Sequence, residues 1–216
     1  MTAPRLYVDS ADVDAVAPLL AGSLVHGVTT NPTILDRAGR TVRDIPELYA
    51  RWVDEGAREV FFQAWGDAAG LERTAREILA LGDRAVVKVP ATRDGFSLGA
   101  RLAREGAAVL LTAVHTPAQA LAAASCGIRY LAAYLGRMRD AGFDAVTDIA
   151  RMQAVCGDSG PEVLAASLRS PDDIVALAEA GVPTFTAAPD VLWAAIAHPA
   201  TDAAAEAFEV AASLRD

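Results

Sequence analysis

Ala85-Val86-Val87-Lys88-Val89-Pro90 is an apolar run broken by one amine. A short β-branched run ending in proline predicts a strand. Lys88 is the only lysine among 216 residues, beside 18 arginines. Desolvation disfavours the ammonium form, so a lysine held among valines has a lowered pKa and is a usable nucleophile near neutral pH. Schiff-base formation with a carbonyl substrate needs such an amine. A structural part is also open to it, as an ion-pair partner inside a barrel or a stem snorkelling to water at a strand end.

Moving outward from this run, the same type of segment recurs. Leu6 to Asp9, Gly27 to Thr30, Glu59 to Gln63, Ala85 to Val89, Ala108 to Thr112, Tyr130 to Tyr134, Glu162 to Ala165 and Thr184 to Ala187 read as eight strands. Helical stretches lie between them, among them Val13 to Leu20, Leu71 to Leu81, Phe96 to Glu105, Pro117 to Ala124, Asp148 to Val155 and Pro171 to Ala180. Ser170-Pro171-Asp172-Asp173 has the composition of a helix start: a serine cap, a first-turn proline and acids at the positive end of the dipole. Alternating strands and helices predict a parallel sheet in an α/β fold. Eight units in one chain favour a (β/α)₈ barrel spanning residues 1–216 as a single domain, with an extra helix over about 201–214. A doubly wound open sheet gives the same local pattern, although no GxGxxG or P-loop follows the early strands.

Composition narrows the partners. The net charge is −9 with no basic cluster, which argues against nucleic acid or an anionic membrane surface. A small anionic substrate would need locally placed arginines. Met1-Thr2-Ala3-Pro4-Arg5 leads into a strand, and no apolar run nears the ~18 residues of a membrane span, so a cytoplasmic protein is expected. Cys126 and Cys156 read as reduced thiols, and His26, His115 and His198 lack metal-ligand spacing.

In a barrel, catalytic groups stand at the carboxyl ends of the strands. Polar residues gather there: Asp9, then Thr29-Thr30-Asn31-Pro32, Gln63, Lys88, Thr112, Tyr134 with Arg137, and Ser167 with Arg169. Each alone has a local explanation. Asp9 and Ser10 could cap the first helix, Asn31-Pro32 could turn, and arginines such as Arg129 and Arg139 could serve solvation alone. Together they supply one amine, one carboxylate, several hydroxyls and a basic pair, as carbonyl chemistry on an anionic sugar requires.

Leu6-Tyr7-Val8-Asp9-Ser10, Gly27-Val28-Thr29-Thr30-Asn31-Pro32-Thr33 and Val86-Val87-Lys88-Val89-Pro90 resemble the transaldolase family in its short form, and the similarity runs to the last helix. The resemblance implies a class I mechanism without metal or organic cofactor, with Lys88 as the imine-forming residue. It also implies a homo-oligomer, commonly a decamer with the final helix on a neighbouring subunit. Within the family, Gln63 where transaldolases carry glutamate, Tyr134 where they carry phenylalanine, and Leu110 and Ala132 where they carry asparagine and serine all resemble the fructose-6-phosphate aldolase branch. Leu135-Gly136-Arg137 is closer to transaldolase usage. Thr186-Ala187-Ala188-Pro189 and His115 depart from the usual residues and extend the candidate substrates to a related anionic sugar, a sulfonated ketose for example.

The expected mechanism follows. Lys88 adds to the C2 carbonyl of fructose 6-phosphate or a related ketose phosphate, and Asp9 accepts the C4 hydroxyl proton. Tyr134, with a water held by Gln63 and Thr112, handles the proton that an amide at position 63 cannot. Thr29 and Asn31 belong to the substrate site, Asn31 orienting the C1 and C3 hydroxyls, and Arg137, Ser167 and Arg169 bind the phosphate. The alternative is transfer of the dihydroxyacetone unit to a second sugar phosphate.

Overall fold

The computed structural model describes residues 3–213. Its strands are β1 (Arg5–Asp9), β2 (Gly27–Thr29), β3 (Glu59–Gln63), β4 (Ala85–Pro90), β5 (Val109–Val114), β6 (Tyr130–Tyr134), β7 (Glu162–Leu168) and β8 (Thr184–Ala187). Each lies parallel to the next, and β8 pairs with β1 in parallel, Tyr7 beside Thr186. That last pairing closes a (β/α)₈ barrel and excludes the open sheet.

The helices are α1 (Val13–Ala21), α2 (Pro32–Arg37), α3 (Ile45–Asp54), α4 (Ala68–Leu79), α5 (Arg93–Arg104), α6 (Pro117–Ser125), α7 (Leu135–Asp140), α8 (Ala145–Cys156), α9 (Pro171–Glu179), α10 (Pro189–Ile196) and α11 (Pro199–Ser213). The expected Ser170 start is present, its hydroxyl accepting from Asp173 N–H while the Asp173 carboxylate accepts from Ser170 N–H. Other starts differ. Asp12 caps α1 rather than Asp9 or Ser10, and Asp67 caps α4 by accepting from Gly70 N–H at 2.8 Å, so that helix begins three residues before Leu71. β5 and β7 run past their expected ends because each contains a register shift. The final helix starts at Pro199, and its expected end at Leu214 lies outside the described residues.

Strand residues alternate between two environments, because successive side chains point to opposite faces. Outward residues such as Phe62, Val87, Leu111 and Val163 pack with Trp52, Leu102 and Ile149 from the helices. Inward residues Tyr7, Phe61, Val86, Leu110, Tyr130, Ala132 and Leu164 fill the barrel as a separate apolar plug. Phe61 meets Tyr7 and Tyr130 edge-on, both at 5.4 Å between ring centres. Two residues farther along the strands, the same inward face carries Asp9, Gln63, Lys88, Thr112, Tyr134 and Thr186.

Two residues in the other direction, β3 carries Glu59, buried beneath the plug. It accepts hydrogen bonds from Tyr7 Oη at 2.7 Å, Tyr130 Oη at 2.7 Å and Arg129 at 2.8 Å. The Arg129 guanidinium also lies 4.9 Å from the Tyr130 ring centre. Arg129 therefore closes the barrel floor, correcting the expectation that it serves solvation alone. Arg139 likewise is paired, with the buried Asp173.

Candidate active site

At the carboxyl end of the strands, Asp9, Asn31, Lys88, Tyr134, Arg137 and Ser167 line one cavity of about 180 Å³ together with Thr33, Ile34, Arg37, Ala132, Leu164, Ala166 and Thr186. Lys88 is 5% exposed, and its Nζ donates to the Thr30 carbonyl at 2.7 Å. Burial lowers the Lys88 pKa, opposed by the Asp9 charge. Asp9 moves in the reverse direction. Desolvation raises its pKa against the opposing pull of Lys88, a hydrogen bond from Thr29, and Arg137 and Arg37. Each member of the pair is thus moved toward its uncharged form, which leaves a freer amine beside a more basic carboxylate.

Tyr134 ends β6, and its Oη lies 2.6 Å from Thr112 Oγ1. Burial raises the phenol pKa, so it stays protonated at neutral pH and can donate. The Arg137 guanidinium stacks 4.8 Å from the Tyr134 ring centre, which holds both at the rim. Gln63 is half-buried beside Lys88 in the β3–β4 register and stands outside the cavity lining. Thr112 and Thr29 are buried behind the lining, reaching the cavity through Tyr134 and Asp9.

Backbone irregularity aims a hydroxyl. Ser167 has φ of 58°, inside the register shift of β7. A non-glycine residue in that region costs roughly 1–3 kcal/mol and needs surrounding support. Gly136 lies against it, since a Cβ there would stand 2.9 Å from Ser167 Oγ and 2.7 Å from Ser167 O. Only glycine lets α7 begin this close to the strand.

Arg169 is the other residue expected at the anion site. It forms a two-point pair with Asp140 at 2.9 and 2.5 Å and lies outside the cavity lining. The guanidinium that joins Arg137 at the cavity is Arg37, which the sequence reading passed over. Its signal was present. Asn31 accepts from Ile34 N–H at 3.0 Å and Pro32 occupies the first turn, so Asn31-Pro32 starts a helix rather than a turn. Helical spacing then puts Thr33, Ile34 and Arg37 on one face. Because Asn31 Oδ1 is used by the cap, its amide nitrogen is left to donate toward the cavity.

Among the described residues, no group of three or more His, Cys, Asp or Glu side chains is placed to hold a metal ion, and no helix is long and apolar enough to cross a membrane. The sequence model of the Transaldolase/Fructose-6-phosphate aldolase family matches residues 6–215. A probable transaldolase of Heliobacterium modesticaldum is 32% identical over 94% of this chain and 95% of its own length. One from Ruegeria sp. is 33% identical over 94% of both. One from Methanococcus maripaludis is 32% identical, again over 94% of this chain. Among solved structures, a mandelate oxidase variant superposes with a TM-score of 0.64 at 14% identity, covering 87% of this chain and 66% of that longer one. This last likeness concerns the barrel fold alone.

Proposed function

Because the chain belongs to the transaldolase/fructose-6-phosphate aldolase family, we propose that it is a class I aldolase that cleaves fructose 6-phosphate or a related ketose phosphate. Neutral Lys88 adds to the C2 carbonyl, and loss of water gives an iminium. Asp9 takes the C4 hydroxyl proton, the C3–C4 bond breaks, and its electron pair moves into the iminium to form an enamine. Glyceraldehyde 3-phosphate leaves. Tyr134, acting through a water with Thr112 and Gln63, protonates the enamine at C3, and hydrolysis returns dihydroxyacetone and free Lys88. Asn31 orients the retained unit, with Thr29 fixing Asp9 beside it. Arg137, Ser167 and Arg37 receive the terminal phosphate, Arg37 taking the part first expected of Arg169.

The observation that carries this reading is Lys88 Nζ, buried yet facing a cavity it shares with Asp9, Tyr134 and two arginines. A second reading, transfer of the dihydroxyacetone unit, draws support from the relatives named probable transaldolases. Leu110 and Ala132 favour release, because neither can hydrogen-bond the enamine and hold it for an acceptor. Incubating the protein with fructose 6-phosphate alone tests this. Free dihydroxyacetone supports the aldolase; turnover that begins only when erythrose 4-phosphate is added supports the transferase.

The proposal includes a cytoplasmic location, no metal or organic cofactor, and a homo-oligomer. For the last, α11 has no buried residue, and its Phe208 and Val210 are 72% and 57% exposed. Sedimentation of wild type against Phe208→Glu tests that assembly.

A further inference from the structure

We propose that Thr186 is a positioning residue for Asp9 and an acceptor for one substrate hydroxyl, acting through a chain of hydroxyls across three neighbouring strands. This rests on Asp9 being the base in the reading above. β1 carries Asp9 and lies between β2 and β8. Thr29 on β2 donates to Asp9 Oδ1 at 2.6 Å, and Thr186 Oγ1 on β8 lies 2.6 Å from Thr29 Oγ1. Both threonines are buried, and Thr186 lines the cavity.

The chain has a fixed direction. An ionised carboxylate only accepts, so the single Thr29 hydrogen is committed to Asp9. Thr29 can then only accept from Thr186, which commits the single Thr186 hydrogen in turn. The remaining lone pairs of Thr186 are left for the cavity, where they accept from a sugar hydroxyl. Deoxygenating the matching carbon would remove that bond.

Proton transfer reverses the order. When the C4 hydroxyl gives its proton to Asp9 and the C3–C4 electron pair enters the iminium, Asp9 gains an O–H. It can then donate to Thr29, Thr29 to Thr186, and Thr186 into the cavity. The cavity-facing hydroxyl thus changes from acceptor to donor as the C4 alcohol becomes an aldehyde, which only accepts.

The test compares wild type, Thr186→Val and Thr186→Ser. Rates of fructose 6-phosphate cleavage are followed across pH, with thermal melts and borohydride trapping of the Lys88 imine run in parallel. Lys88, Tyr134, Arg37 and Arg137 also face Asp9 and are the same in all three proteins. Thr186→Val should form the imine as wild type does. Its kcat should fall about tenfold or more, because Thr29 is no longer held against the base, and KM should rise several-fold with the lost bond to the substrate hydroxyl. With Thr29 no longer accepting from Thr186, its own donation to Asp9 is weaker, so Asp9 binds its proton more tightly and the acid limb of kcat should move to higher pH. Thr186→Ser should restore all three. Wild-type kcat and acid limb in Thr186→Val, or a serine variant as impaired as the valine one, would overturn the inference. Should Thr186→Val not fold, Thr186→Ala carries the same expectations. No imine in wild type would instead remove the Schiff-base reading, and this inference with it.

Discussion

The two ends of the barrel each bury charge, and they treat it in opposite ways. At the floor, Glu59 accepts from Tyr7, Tyr130 and Arg129, with His26 Nε2 a further 3.7 Å away. At the mouth, Lys88 has one hydrogen bond, to the Thr30 carbonyl, and otherwise faces the cavity it shares with Asp9. Burial and the nearby Glu59 carboxylate push the Tyr130 phenol up to about 12, so it stays a donor to Glu59. A fully partnered charge rigidifies; an under-partnered one beside a cavity is left with capacity to react.

Removing the mouth amine should give the largest effect. Lys88→Met is expected to lower kcat/KM on the order of 10⁴-fold. Its folding free energy should stay within about 1 kcal/mol of wild type, since methionine fills similar volume without a buried amine to desolvate. Activity assays with chemical denaturation check both. Glu59→Gln inverts that result: it keeps kcat within about threefold but loses roughly 2–3 kcal/mol of stability, because one amide oxygen cannot serve two phenols and a guanidinium. If both variants lose stability equally, the contrast between the ends fails.

Next in size is the anion site. Arg37→Met should raise KM for the phosphorylated ketose about tenfold, the weight of a charge-assisted hydrogen bond, whereas Arg169→Met should change it less than about threefold. Initial-rate kinetics decide, and the reverse order would return Arg169 to the site.

The smallest effect concerns pH. In the proposed mechanism Lys88 attacks only when neutral, and Asp9 accepts only when ionised, so activity should rise with pH through both transitions. Because Asp9 is raised and Lys88 lowered, the acid limb should lie above the ordinary carboxylate range and the plateau should begin below the ordinary lysine value. A kcat/KM profile still climbing at the ordinary lysine pKa would contradict the buried-amine account.

The barrel was legible because eight apolar runs alternate with helices, and period-two alternation then put Asp9, Lys88, Thr112 and Tyr134 on one inward face. Closure was not, since it depends on the β8–β1 pairing, which no local pattern contains. The Arg169–Asp140 pair was not legible, because position after a strand says nothing about a competing partner and Asp140 comes from another element, α7. Arg37 was passed over because no helix was expected to start at Asn31-Pro32, so the face through Thr33, Ile34 and Arg37 was not drawn. The register shifts at Ala113 and Ser167 leave no sequence mark, as neither position is a glycine. The Glu59 cluster was missed because its four partners come from three separate segments.

One measurement reaches the central claim directly: borohydride reduction of the protein with fructose 6-phosphate at neutral pH, followed by intact mass and peptide mapping. The account predicts one added reduced three-carbon unit, carried by the peptide containing Lys88 and missing from Lys88→Met. An unchanged mass, or an adduct on any other peptide, would contradict it.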